Sequence, residues 1–144
     1  ILPLLETDLV DVLEACVEGR LDEVELAWRP GACVCVVMAS GGYPGSYQTG
    51  HTIHGLDAVD TVGDCVVFHA GTRREDGRMV TAGGRVLDVT AWDAGLPEAI
   101  ARAYSAVEMI EWTGVHYRRD IGAKGTNGGR PSPRSAAGGD LRSA

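Results

Sequence analysis

The stretch ACVCVVMA at residues 32–39, followed at once by SGGYPGSY at 40–47, decides the fold. The first half is a nearly continuous apolar run with three β-branched Val, the composition of a buried strand. Pro cannot donate to the ladder and Gly weakens a strand, so the second half is a loop at the strand's end. Toward the carboxyl end, Cys65–His69 (CVVFH) reads as a second buried strand. Thr72–Arg74 and Arg78–Thr81 flank Glu75-Asp76-Gly77, a hairpin signal. Gly83-Gly84 then leads into Arg85–Thr90, where polar and apolar residues alternate, so an antiparallel meander is expected.

Helices bracket these strands. Leu9, Leu13, Cys16 and Val17 recur at helical spacing and predict a helix over Thr7–Glu18, capped by Thr7 and stopped by Gly19. Its acids Asp8, Asp11, Glu14 and Glu18 form a solvated face. The alternation in Val24–Trp28 reads as a short strand, and Arg29-Pro30-Gly31 as a joint. A short strand at Thr52-Ile53-His54 and one or two helical turns over Leu56–Val62 are further expectations. Leu96–Glu111 carries the stripe Leu96, Ile100, Ala103, Tyr104, Val107 and Ile110, with Pro97 in the first turn and Glu98 four residues before Arg102. Trp112–Tyr117 reads as a returning strand. From about residue 123 the apolar periodicity ends in Gly, Ser, Pro and Arg, which reads as a disordered tail over 123–144. The fold class is α+β: a small, mostly antiparallel sheet or half-barrel with flanking helices.

Composition narrows the function. The 144 residues, 44% hydrophobic and 23% charged, suit one globular domain. Net charge is −7, which argues against nucleic acid or an anionic membrane as a partner. Four basic residues and one acid fall after Ala123, so −10 falls on the part before it. No apolar run has the length of a membrane helix and no signal peptide is visible. The chain opens on Ile1-Leu2-Pro3-Leu4-Leu5 rather than Met, which reads as a piece of a longer chain. Cys16, Cys33, Cys35 and Cys65 read as buried free thiols in a reducing cytoplasm. The competing reading, a metal set of Cys33, Cys35, Cys65 and His69, lacks the usual Cys-x2-Cys spacing.

Candidate chemistry is sparse. The 40–47 loop is either a tight connection holding Tyr43 and Tyr47 or a place where backbone N–H groups approach a ligand. It is not a P-loop, because Ser46 stands where a Lys would follow Gly45. His69 ends a strand, a common place for site residues, although a lone His is more often a hydrogen-bonded structural residue. Arg118-Arg119-Asp120 reads as surface pairing before phosphate binding. No Ser/His/Asp, Cys/His or paired-carboxylate set has a recognisable spacing, so no catalytic or metal residue is assigned.

Six segments in order carry a resemblance: LPLLETDL at 2–9, WRPG at 28–31, MASGGYPGSY at 38–47, FHAGT at 68–72, TAGGRVL at 81–87 and YRRDIG at 117–122. Together they resemble the carboxyl-terminal part of the phosphoribosylamine–glycine ligases, over about residues 1–122. The resemblance implies an ATP-grasp ligase of purine synthesis that joins glycine to 5-phosphoribosylamine through glycyl phosphate, with ATP and Mg²⁺. The family's metal-binding Glu and Asn lie upstream of Ile1, so no residue here takes their role. Residues 1–26 would end the ATP-grasp domain, 27–122 would be the carboxyl-terminal domain, and this piece alone would be inactive. The substrate-cleft candidates are then Ser40, Gly41, Gly42, Tyr43, Gly45, Ser46 and Tyr47 of one loop, with His69, Gly71 and Thr72 of another. The expected partners are the rest of the ligase and the two substrates. The alternative is a stand-alone, non-catalytic α+β domain that binds a small ligand or a partner.

Overall fold

Strand β1 (Ala32–Ala39) forms where the apolar run predicts it, in a computed structural model that describes residues 1–126. Helix α1 (Leu9–Glu18) precedes it. After it come α2 (Leu56–Val59), β2 (Cys65–His69), the hairpin strands β3 (Thr72–Glu75) and β4 (Arg78–Thr81), and β5 (Arg85–Asp93). Helix α3 (Leu96–Val107), β6 (His116–Tyr117) and the single turn α4 (Ala123–Thr126) complete the order. The architecture is the expected α+β. Four antiparallel strands run in the order β2-β5-β1-β6, and β3 and β4 pair separately.

The meander is corrected by this order. β5 does not pair with β4; it crosses to the middle of the sheet, between β2 and β1. Nine residues long and buried along most of its length, β5 fills a central place that the four-residue β4 cannot. Val34, Val36 and Met38 pair with Ala91, Val89 and Leu87, and all six are buried on the face that α3 covers. Burying each of the larger of these side chains contributes roughly 1.5–3 kcal/mol. α3 meets them with Ala99, Ala103, Ala106 and Val107, which are wholly buried. Small side chains bring the helix close to the sheet, so the buried stripe runs along the alanines, while Leu96, Ile100 and Tyr104 sit at its margin.

Several boundaries differ from expectation. Asp8 rather than Thr7 caps α1, its Oδ1 accepting from the Val10 N–H at 2.8 Å. Thr7 instead accepts from the Ala27 N–H at 2.7 Å, tying the helix entry to the segment after it. That segment is not a strand. Leu21–Glu23 is a 3₁₀ turn, and only Trp28 pairs, with Leu5. Thr52 and His54 make single bridges to Val80 and Glu111. β2 is an edge strand, half-buried and then exposed, because no strand among the described residues pairs beyond it. α3 ends at Val107, four residues early, and only His116–Tyr117 of the returning segment pairs, with β1. Residues 123–126 of the expected tail make a turn against α3. The remainder of that tail lies outside the described residues.

The expected Glu98–Arg102 pair is replaced. The Arg102 guanidinium donates to Asp93 Oδ2 through Nη2 at 2.5 Å and Nε at 3.2 Å, and Nη1 donates to the Val62 carbonyl at 3.2 Å. One residue thus joins α3, the end of β5 and the segment after α2. The hydrogen bonds from Arg102 hold the Asp93 carboxyl below its ordinary 3.8. A carboxylate with a lowered folded pKa stabilises the fold above its ordinary range, and that contribution disappears as pH falls through the folded value. We therefore expect Arg102→Met to lower the melting temperature at pH 7 and to flatten its decline below pH 4, as thermal scans across that range would read.

Candidate functional site

The sheet register gathers the motif segments at one end. Ala39 faces both Arg85 and His116, and His69 faces Leu87, so β1 and β2 end where β5 and β6 begin. The Ser40 N–H donates to the Gly84 carbonyl at 2.8 Å, and its hydroxyl donates to the Gly83 carbonyl at 2.9 Å. Ser40 is wholly enclosed, so both polar groups are spent on holding the loop. The Gly71 N–H donates to the Arg85 carbonyl at 2.9 Å, and the Ala82 N–H donates to the Gly71 carbonyl at 2.7 Å. Gly41 lies against Gly114, which brings in the segment before β6. Loops 40–47 and 69–72 and the 81–87 turn therefore form one cluster.

Within the cluster, Tyr43 lies over Gly84, where any side chain would enter its ring. Tyr47 meets Tyr43 edge-on, with ring centroids 6.0 Å apart. Tyr43, Ala70, Gly84, Arg85 and Asp88 line a hollow of about 460 Å³. Asp88 stands in register between Val37 and Phe68, so the hollow opens on the sheet face that α3 does not cover. His69 belongs to the other face, in register with Leu87, and its Nδ1 lies 3.0 Å from Thr72 Oγ1. It lines a second hollow of about 440 Å³ with His54, Asp57 and Arg74. The strand end thus divides the expected set. Tyr43 stays at the first hollow, His69 turns away with Thr72, and Gly45, Ser46 and Tyr47 are exposed outside its lining.

Arg85 and Asp88 were not among the sequence candidates, although Arg85 stands inside the quoted TAGGRVL segment. The signal was there: a charged residue opens a strand straight after two glycines, and Asp88 falls on the polar side of the alternation. Among the described residues the ion pairs are Glu18–Arg20, Arg73–Glu75, Asp93–Arg102 and Arg118–Asp120, so Arg85 makes none. Arg118 is engaged as expected and holds Asp120 below the usual carboxylate range, while Arg119 lies 5.3 Å from the Tyr117 ring centroid. A guanidinium and a carboxylate in one hollow suit an anionic ligand that also carries an amine or hydroxyl.

The thiols do not form the competing metal set. Cys33 and Cys35 share a face, as the spacing predicts, but it is the open one, and Cys35 is exposed. Cys16 is also exposed, and Cys33 and Cys65 are half-buried, so the expectation of buried thiols fails; for Cys33 and Cys35 the reason is that the other side of β1 supplies the core. Cys65 stands in register with Ala91 and Val34, on the α3 face, across the sheet from the other two. Burial pushes its thiol above the ordinary range, against the thiolate a metal needs. Among the described residues no three His, Cys, Asp or Glu side chains converge to hold a metal.

Comparison with known proteins agrees with this arrangement of segments. The family described as Phosphoribosylglycinamide synthetase, C domain, matches residues 33–124. The phosphoribosylamine–glycine ligase of Synechocystis is 53% identical over 125 residues, covering 86% of this chain and 30% of the relative. That of Chlorobaculum tepidum is 51% identical over 124 residues, covering 86% and 29%. The crystal structure of the Thermotoga maritima phosphoribosylamine–glycine ligase superposes with a TM-score of 0.61 at 32% identity, covering 75% of this chain and 26% of that one. The chain thus spans about 30% of the length of the curated relatives it matches. By these matches, and by the motif cluster at one end of its sheet, the chain belongs to the phosphoribosylglycinamide synthetase family, with residues 33–124 as the C domain.

Proposed function

We propose that the chain is the carboxyl-terminal part of an ATP-dependent ligase that joins glycine to 5-phosphoribosylamine, giving glycinamide ribonucleotide through glycyl phosphate. The observation that carries this reading beyond the relatives' names is the hollow lined by Tyr43, Gly84, Arg85 and Asp88. Its guanidinium, which makes no ion pair among the described residues, suits the phosphate of phosphoribosylamine, its carboxylate suits the amine or ribose hydroxyls, and Tyr43 walls the side. ATP with Mg²⁺ would supply the phosphoryl group that activates the glycine carboxylate, because an amine displaces phosphate where it cannot displace oxide. The described residues offer no metal set, so those ligands fall to the upstream part and no step is assigned to them here.

In this reading residues 1–26 belong to the upstream neighbour, and 27–122 form the small domain that walls its cleft. The exposure of Val10, Leu13 and Val17 on α1 supports that division, since an amphipathic helix leaves its apolar stripe open only where a partner covers it. The reading expects a cytoplasmic enzyme; no helix among the described residues is long and apolar enough to cross a membrane. A stand-alone binding module is not favoured, since the curated relatives are named as ligases along most of this chain.

The test is a chimera in which this chain replaces the matching stretch of the Synechocystis ligase. We expect ADP release that requires both glycine and phosphoribosylamine, within about tenfold of the parent enzyme, and none from the 144-residue chain alone. A folded chimera without glycine-dependent ADP release, or turnover by the isolated chain, overturns the reading.

A further inference from the structure

We infer that the open face of the β2-β5-β1 sheet, around Cys35, Val37, Val66 and Phe68, is the surface on which the upstream core of the ligase seats. The inference rests on the proposed ligase reading and adds which face of the domain meets the core.

Register defines the face. Cys33 pairs with Trp92; Cys35, Thr90 and Val66 form the next row; Val37, Asp88 and Phe68 form the third. α3 covers only the opposite side. Val37 is 39% exposed and Phe68 43%, although both lie in the body of strands. A strand whose sequence is apolar at every position is the pattern of a strand buried on both faces, and β1 has a cover on one.

The position of the residues that precede β1 says what supplies the other cover. The 3₁₀ turn Leu2–Leu4 lies against β1. The Arg29 N–H donates to the Leu4 carbonyl at 2.7 Å, and the Arg29 guanidinium lies 5.9 Å from the centroid of Trp92, a residue of the open face. The polypeptide ahead of the domain therefore arrives on this side. The likeness to the Synechocystis ligase spans 125 residues, more than the C domain at 33–124, and leaves about 70% of that relative beyond this chain. The hollow of Arg85 and Asp88 opens at one end of the same face. Apolar seating beside a polar hollow would close the cleft with one contact, the apolar rows excluding water and the charged end meeting the substrate.

Thiol labelling tests this on the isolated chain and on the chimera. Cys35 is exposed here, so a small maleimide should modify it readily, as peptide mass spectrometry would read. In the chimera its labelling should slow at least tenfold. Phe68→Glu, at a position already open to water, should leave the melting temperature of the isolated chain nearly unchanged, yet restore Cys35 labelling in the chimera and cut its turnover at least tenfold. An active chimera whose Cys35 labels as fast as in the isolated chain overturns the inference and leaves the ligase reading standing. A folded, inactive chimera with protected Cys35 upholds the seating face and overturns the reaction assigned to it.

Discussion

Gly71→Ala should lower the stability of the chain by about 3 kcal/mol and its melting temperature by roughly 10 °C. The reason is geometric. A Cβ at Gly71 would meet the Arg85 carbonyl oxygen and lie 2.8 Å from the Gly83 Cα. Both neighbours are backbone, so no side chain can rotate away to relieve the contact. The Gly71 backbone is also fixed on two sides, by its N–H on the Arg85 carbonyl and by its own carbonyl under the Ala82 N–H. Relief therefore means separating β2 from β5 at the end where the three loops meet. Overpacking of this kind costs about 1–3 kcal/mol, and the loss of one or both hydrogen bonds adds about 1 kcal/mol each. Chemical denaturation of the isolated chain measures the first effect. Amide exchange at Ala82 and Gly71 measures the second, with protection falling first there and later in α3. A variant as stable as the parent would mean that the loops slide past one another freely, and the cluster would lose its standing as a rigid wall.

How far the sequence reveals this structure depends on how local the cause is. β1 and the core of α3 are legible because apolar periodicity is written within one segment. The hairpin is legible because Asp76 and Gly77 take φ of +48° and +78°, the left-handed pair that a tight two-residue turn demands. The place of β5 is not legible. Pairing with β2 and β1 across dozens of residues leaves no mark in a short window, so the nearest partner, β4, looks equally suitable. The cysteines show the same limit in reverse. Cys33-Val34-Cys35-Val36 reads as buried throughout, because an apolar run carries no sign of which face is left to another body. The site divides similarly. The glycines that let loops approach are visible, since Gly and Pro interrupt strands by themselves. Arg85 and Asp88 are not, because a charge at a strand's start means nothing until the fold brings Tyr43 beside it. His69 stands out as the last residue of a strand that reads as buried, yet the alternation of β2 sends it to the other face. The Glu98–Arg102 expectation fails for a related reason: helical spacing permits that pair, but Asp93, at the end of β5, offers a better-placed carboxylate.

Arg85→Gln in the chimera should raise the KM for phosphoribosylamine about 100-fold while leaving kcat and the KM values for ATP and glycine within about threefold. Arg85 is the cation of the hollow, and it makes no ion pair among the described residues. A phosphate monoester that it grips with two charge-assisted hydrogen bonds gains about 1.5–3 kcal/mol, which is tenfold to somewhat over a hundredfold in affinity. Phosphate lies away from the amine that attacks the activated glycine, so the grip is the same before and during reaction. An interaction of equal strength in both states moves KM and leaves kcat alone. Arg85→Lys keeps the charge but loses the fork, and should recover only part of the affinity. Salt gives a second readout that a structural role would not move: the parent's KM for phosphoribosylamine should climb with ionic strength, and the Arg85→Gln variant's should climb less. Should all three KM values rise together, or kcat fall with KM unmoved, Arg85 would be holding the cleft in shape rather than the phosphate. The Tyr43 ring on Gly84 would then be the contact it supports, since that ring forms the hollow's other wall.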